Sequence, residues 1–276
     1  MPGWLQGFFS TGQLFTGPSA IWNACMLITE GLMGMGPDTY APEAWAYVRD
    51  TLYPWFLAVG SILLTLFCLI GFVRQASNLK DNITIEMWIE LFIKLIIGHF
   101  LMNNGITIMQ SFFGIASGTT LMINDNTIPT IWTSDIDAGA VMMYILVGII
   151  YVIASVICGI TIVIEVLSRY LNLYILVATA PIALSTLAGG RGIEDTAYAW
   201  IKSFLTNVFQ IVAIALILRI GGMMCQSTVF SMTGADGFAG FFSGAPNVLV
   251  SMLTMFFMTS AVKGADGLIK RAFNLR

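Results

Sequence analysis

Residues 139–187 read GAVMMYILVGIIYVIASVICGITIVIEVLSRYLNLYILVATAPIALSTL, and they decide the class of the fold. The only charged residues in this run are Glu165 and Arg169. Val141–Ile164 alone supplies the roughly 20 apolar residues that carry a helix across about 30 Å of hydrocarbon. Tyr170–Leu187 continues apolar, with Pro181 inside it, until Gly189-Gly190-Arg191-Gly192 closes the run. Glu165 and Arg169 stand four apart, which places them on one helix face. They read either as a structural pair at the membrane boundary or as a gating pair.

Composition extends this reading to the whole chain. Of 276 residues, 57% are hydrophobic and only 10% charged, with mean hydropathy +0.85. A soluble domain carries about 25% charged residues. So much apolar surface is not buried in a water-facing globule, and a bilayer is the solvent that suits it. The net charge is −3 and no basic run suggests a nucleic-acid surface. The one basic cluster is the tail Lys263, Lys270, Arg271 and Arg276. Cys25, Cys68, Cys158 and Cys225 are scattered, and read as small buried hydrophobes. The start, Met1-Pro2-Gly3-Trp4, lacks a basic n-region, which predicts no cleavable secretion signal.

The expected fold is therefore all-α, a polytopic helical membrane protein of about five crossings with a long or broken third helix. Residues 1–51 form an N-terminal segment outside the cytoplasm, read as an amphipathic interfacial helix or as an arm packed on the others. Residues 52–262 form the transmembrane domain, and 263–276 a basic cytoplasmic tail. The crossings are Leu52–Val73, about 91–123, the long third segment, Tyr198–Ile220, and a last one near Phe241–Val262. Pro54 falls in the first turn of the first crossing, where a missing N–H costs little. Glu90 and Lys94 are spaced to pair at the start of the second. With the N-terminus outside, ten of the twelve Lys and Arg fall on or near the cytoplasmic side, which selects this orientation. Splitting the third segment into two crossings would put the basic tail outside.

Polar groups in hydrocarbon need partners or water. In the second helix His99, Asn103, Gln110 and Ser117 recur at steps of four, seven and seven, on one stripe. They read as interhelical hydrogen bonding or as the wall of a lumen. A lone histidine makes a poor metal site, and neither metal nor cofactor is expected. No phosphate loop, H-E-x-x-H, C-x-x-C or G-x-S-x-G occurs, so the chain reads as non-enzymatic.

The run Arg169-Tyr170-Leu171-Asn172-Leu173-Tyr174-Ile175-Leu176-Val177-Ala178-Thr179-Ala180-Pro181-Ile182-Ala183-Leu184 is distinctive. Gly189 follows it, and then Ala199-Trp200-Ile201-Lys202-Ser203-Phe204. This resembles the TrbL-like family, the polytopic inner-membrane subunit of type IV secretion and conjugation machines. In that family an aromatic and apolar run reaches an Ala-Pro, then a short glycine-containing loop, then Trp-Leu/Ile-Lys opening the next span. The likeness is sharpest over about 160–220. The short N-terminus and the lack of a long polar tail resemble versions on mobile elements of Gram-positive bacteria. The resemblance implies a homo-oligomeric channel or scaffold component in the bacterial cytoplasmic membrane. Its partners would be other secretion subunits, a cytoplasmic ATPase and transferred single-stranded DNA. No catalytic residue carries over. Glu165, Arg169, Pro181, Arg191 and Lys202 mark the cytoplasmic-side region to examine first. The alternative function is a stand-alone small-solute transporter or channel.

Overall fold

The computed structural model describes residues 11–78, 85–123, 141–190, 192–226 and 246–272. All regular structure among them is helical. Helix α1 spans Thr11–Met33, and two short helices, α2 (Pro37–Tyr40) and α3 (Pro42–Tyr47), follow. The long helices are α4 (Tyr53–Asn78), α5 (Ile85–Ile123), α6 (Val141–Ser185), α7 (Glu194–Gln226) and α8 (Pro246–Ala272).

Local chemistry accounts for the joints. Pro37 and Pro42 open α2 and α3 at first-turn positions, where the absent N–H is not needed. Between α3 and α4 the chain makes a π-helical turn, Val48–Leu52, with the Tyr53 N–H donating to the Val48 carbonyl. Pro54 has no N–H to offer the carbonyl four residues back, and a widened turn just before it absorbs the fault. The helix that contains the expected crossing from Leu52 is continuous back to Pro42, through residues 42–51 that carry Glu43, Arg49 and Asp50.

The third segment is long and unbroken. Its 45 residues run helical through Glu165, Arg169 and Pro181. Pro181 lies inside this helix and withholds the N–H that the Val177 carbonyl would otherwise accept from, yet the helix continues to Ser185. Hydroxyls satisfy the last turn: Ser185 Oγ donates to the Ile182 carbonyl (2.6 Å) and Thr186 Oγ1 to that of Ala183 (2.7 Å). A 3₁₀ turn, Thr186–Gly189, then ends the element.

Four stretches among the described residues are long and apolar enough to cross a membrane: Pro42–Arg74, Trp88–Ile123, Gly148–Gly189 and Glu194–Met224. Of the fifth expected crossing, residues 241–245 lie outside the described residues. The remainder falls in α8, which turns charged at Lys263, Asp266, Lys270 and Arg271 and is not among the four.

Contacts divide the chain into two compact units. The first comprises Met1–Gly34, Thr119–Ser168 and Ile211–Leu268. Its core includes Trp22, Met33, Tyr151, Ile162, Leu218 and Met255. Here α1 packs on α6, so that a Cβ added at Gly159 would stand 3.0 Å from the Cys25 side chain.

The second unit comprises Met35–Gly118, Arg169–Gln210 and Ile269–Arg276. Within it α4 and α5 run antiparallel. Tyr53 bonds to Met102, Leu64 meets Gly98, and Phe72 lies against Trp88 with ring centroids 4.7 Å apart. Helix α4 also lies against the end of α6. A Cβ at Gly60 would come within 2.7 Å of the Pro181 carbonyl oxygen, and one at Gly71 within 2.8 Å of that of Ala188. Tyr170 and Tyr174 of α6 donate to the Met35 and Pro37 carbonyls (3.0 and 2.6 Å), tying down the segment that carries α2 and α3.

Candidate functional site

The stripe on α5 faces away from the rest of its unit. His99 and Asn103 are exposed, and their side chains meet at 2.9 Å between Nε2 and Nδ2. The amide donates there, which requires the Nε2-unprotonated form of the imidazole. Gln110 and Ser117 are half-buried, and Ser117 Oγ donates to the Gly114 carbonyl (3.2 Å). The exposed face is wider than the stripe. Asn104 is exposed and donates to the Phe100 carbonyl (3.0 Å), and Ser111 to that of Thr107 (2.9 Å). Gly114 and Gly118 each look onto open space.

Over His99–Gly118 this face mixes these polar groups and glycines with exposed Phe100 and Ile115, on a helix long and apolar enough to cross a membrane. Nearer the helix start Ile85, Trp88, Ile89, Phe92, Ile93 and Ile96 line a shallow apolar groove. A surface of amides, hydroxyls and bare glycine backbone can hydrogen-bond a polypeptide or water, and is costly against lipid. Sequence spacing found four members of this face and missed Asn104, Ser111, Gly114 and Gly118. The G-x-x-x-G spacing of the two glycines was the available signal.

Of the second candidate group, Glu165, Arg169 and Pro181 lie on α6 and Lys202 on α7. Glu165 belongs to the first unit and Arg169, Pro181 and Lys202 to the second, while Arg191 lies outside the described residues. Arg169 is buried, Glu165 is half-buried and Lys202 is exposed. Pro181 sits against Gly60.

An ionic cluster stands near this end of α6 instead. Lys94 Nζ lies 3.0 Å from Glu90 Oε1, as the spacing predicts, and 3.3 Å from Glu194 Oε2. Glu194 opens α7, where the helix dipole also favours a carboxylate. A tight turn brings it there. Gly190 and Gly192 adopt φ of 74° and 90°, and the Ile193 and Glu194 N–H groups both donate to the Gly190 carbonyl at 3.1 Å. Left-handed φ suits glycine because it has no Cβ to clash. Spacing could not reveal Glu194, a hundred residues away in sequence from Lys94.

Among the described residues no group of three or more His, Cys, Asp or Glu is placed to hold a metal ion. Among the described residues all regular structure is helical, with four candidate membrane-spanning helices. No protein-family model, curated protein or solved structure matches it.

Proposed function

We propose that this chain is a TrbL-like membrane subunit of a type IV secretion machine, helping conjugal DNA–protein substrate across the bacterial cytoplasmic membrane. The observation that carries this reading is the pattern over Arg169–Phe204: an aromatic and apolar run to Ala180-Pro181, a glycine-containing turn, and Trp200-Ile201-Lys202 in the next long helix. The four apolar helices suit a membrane-embedded role. The finer topology is five crossings, the fifth through α8, with the N-terminus outside and the C-terminal tail cytoplasmic. A partner ATPase supplies energy, and copies of the chain assemble together.

Clean deletion of the gene in a donor strain tests this. Loss of DNA transfer at normal growth, restored by a plasmid-borne copy, supports the reading; undiminished transfer refutes it. Photo-crosslinkers at Asn103, Gln110 and Glu165 then separate roles. Crosslinks to transferred DNA place the chain on the path, and crosslinks only to secretion subunits make it a scaffold. The exposed polar face of α5 favours a second reading, a stand-alone solute channel. Flux through the purified protein in liposomes would select that reading.

A further inference from the structure

Helix α7 carries a polar pair inside the second unit. Thr206 is 1% exposed and Gln210 is wholly buried. The Thr206 hydroxyl and both polar atoms of the Gln210 amide lack a hydrogen-bond partner. The helix is buried on more than one side here, with Phe204 and Val208 in the core. Gln210 therefore has no route by which to reach solvent.

Thr206 breaks a habit of this chain. Buried hydroxyls elsewhere bond back to their own helix: Thr29 to the Cys25 carbonyl (2.7 Å), Ser155 to Val152 (2.9 Å) and Thr259 to Met255 (2.8 Å). Among the buried serines and threonines described, Thr206 alone has a hydroxyl without a partner. It forgoes the carbonyl one turn back, the easy partner for a helical threonine.

Thr206 and Gln210 are four apart on α7. Side chains so spaced share a face, with Cβ atoms about 5–6 Å apart. A water oxygen bonds polar atoms that lie about 2.8 Å from it, so one water can serve two groups that share a helix face. Buried waters make about three hydrogen bonds, to polar groups otherwise unsatisfied. The Thr206 hydroxyl, the Gln210 carbonyl oxygen and the Gln210 amide nitrogen offer that number.

From this geometry we infer that Thr206 and Gln210 form an internal water-binding site within the second unit. The ligand is neutral water. Neither side chain carries a charge to balance a buried ion, whereas water can donate to the amide carbonyl oxygen and accept from the amide N–H or the hydroxyl.

The test uses the full chain in lipid nanodiscs, labelled with ¹⁵N at glutamine side chains. Solid-state NMR reads magnetisation passed from water protons to the Gln210 amide, assigned by its loss in Gln210→Leu. The site predicts a water cross-peak that survives in Thr206→Ser and is lost in Thr206→Val. It also predicts a lower melting midpoint for Thr206→Val, because a partner of the water is removed. In a dry site the same change deletes an unpaired hydroxyl and raises the midpoint. A missing cross-peak in the parent protein, a cross-peak unchanged in Thr206→Val, or a raised midpoint overturns the inference. Thr206→Ser guards against a Thr206→Val chain that does not fold, since it must keep both the fold and the peak.

Discussion

The phenol of Tyr53 donates a 2.6 Å hydrogen bond to the main-chain carbonyl of Met102, joining the first turn of α4 to the middle of α5. Tyr53 is almost wholly buried, so its hydroxyl has little access to solvent as a substitute. Tyr53→Phe keeps the ring and deletes the donor. Because the Met102 carbonyl retains its helical partner, the expected loss is about 1 kcal/mol. Gly105→Ala acts on the same contact from the other side, since its methyl meets the Tyr53 hydroxyl. Both variants should melt below the parent in detergent micelles. An unchanged midpoint for Tyr53→Phe would show that the bond contributes nothing net.

Glycines at the α4 packing seam should be far less replaceable than glycines on the open face of α5. At Gly60 and Gly71 an added Cβ meets main-chain oxygen, which cannot rotate away as a side chain can. Gly60→Ala and Gly71→Ala should each cost about 1–3 kcal/mol through forced backbone shifts. Gly114→Ala meets nothing within 4 Å and replaces glycine inside a helix, which should be neutral or stabilising by up to about 1 kcal/mol. Thermal denaturation of the three variants side by side checks the ordering. Equal effects at all three sites would contradict the packing.

The Lys94 cluster is two interactions of unequal worth. Glu90 is mostly exposed, at 55%, and its bond to Lys94 is a one-turn helix pair worth about 0.3–0.5 kcal/mol. Glu194 is only 20% exposed, and its bond to Lys94 ties α7 to α5. Lys94→Met and Glu194→Gln should therefore each lower stability more than Glu90→Gln. The exchanged pair, Lys94→Glu with Glu194→Lys, should recover part of the loss seen in Lys94→Glu alone. A double-mutant cycle reads the coupling directly, and zero coupling between positions 94 and 194 would remove this tie.

Cys25, on α1 against Gly159, offers a pH-dependent readout. Partial burial pushes its thiol up from the ordinary value, because the thiolate is the poorly solvated form. The folded chain thus prefers the neutral thiol. The stabilising contribution is full below the unfolded value and is lost as pH rises through the folded value. In a variant whose other cysteines are replaced, maleimide should label Cys25 more slowly than the denatured chain at pH 8. The rate should go on climbing at pH values where the denatured chain levels off. Equal rates in the two states would place the Cys25 thiol at its ordinary value.

Much of this architecture is legible residue by residue. Runs such as Val141–Ile164 exceed the apolar length a crossing requires, and almost nothing but a helix satisfies its own backbone at that hydropathy. The continuity of α6 past Glu165 and Arg169 was an open choice in the reading, because two charges interrupt an apolar run without breaking its helical hydrogen bonds. The continuation of the helix upstream of Leu52 was hidden by Pro54, ahead of which the chain makes a π-helical turn.

Local composition and period were enough to determine the helical class, the far end of α5 and both ends of α6 to within a turn, the Glu90–Lys94 pair and the shared stripe of His99 and Asn103, since each depends on residues within a few turns. Tertiary structure alone decided which way that stripe points and which glycines are pressed against carbonyls. It also brought Glu194 to Lys94 and left Thr206 and Gln210 buried without partners. These are contacts between segments tens to hundreds of residues apart, and in a chain this uniformly apolar no face is marked in advance as inward: on all sides of a helix the residues suit lipid and protein alike.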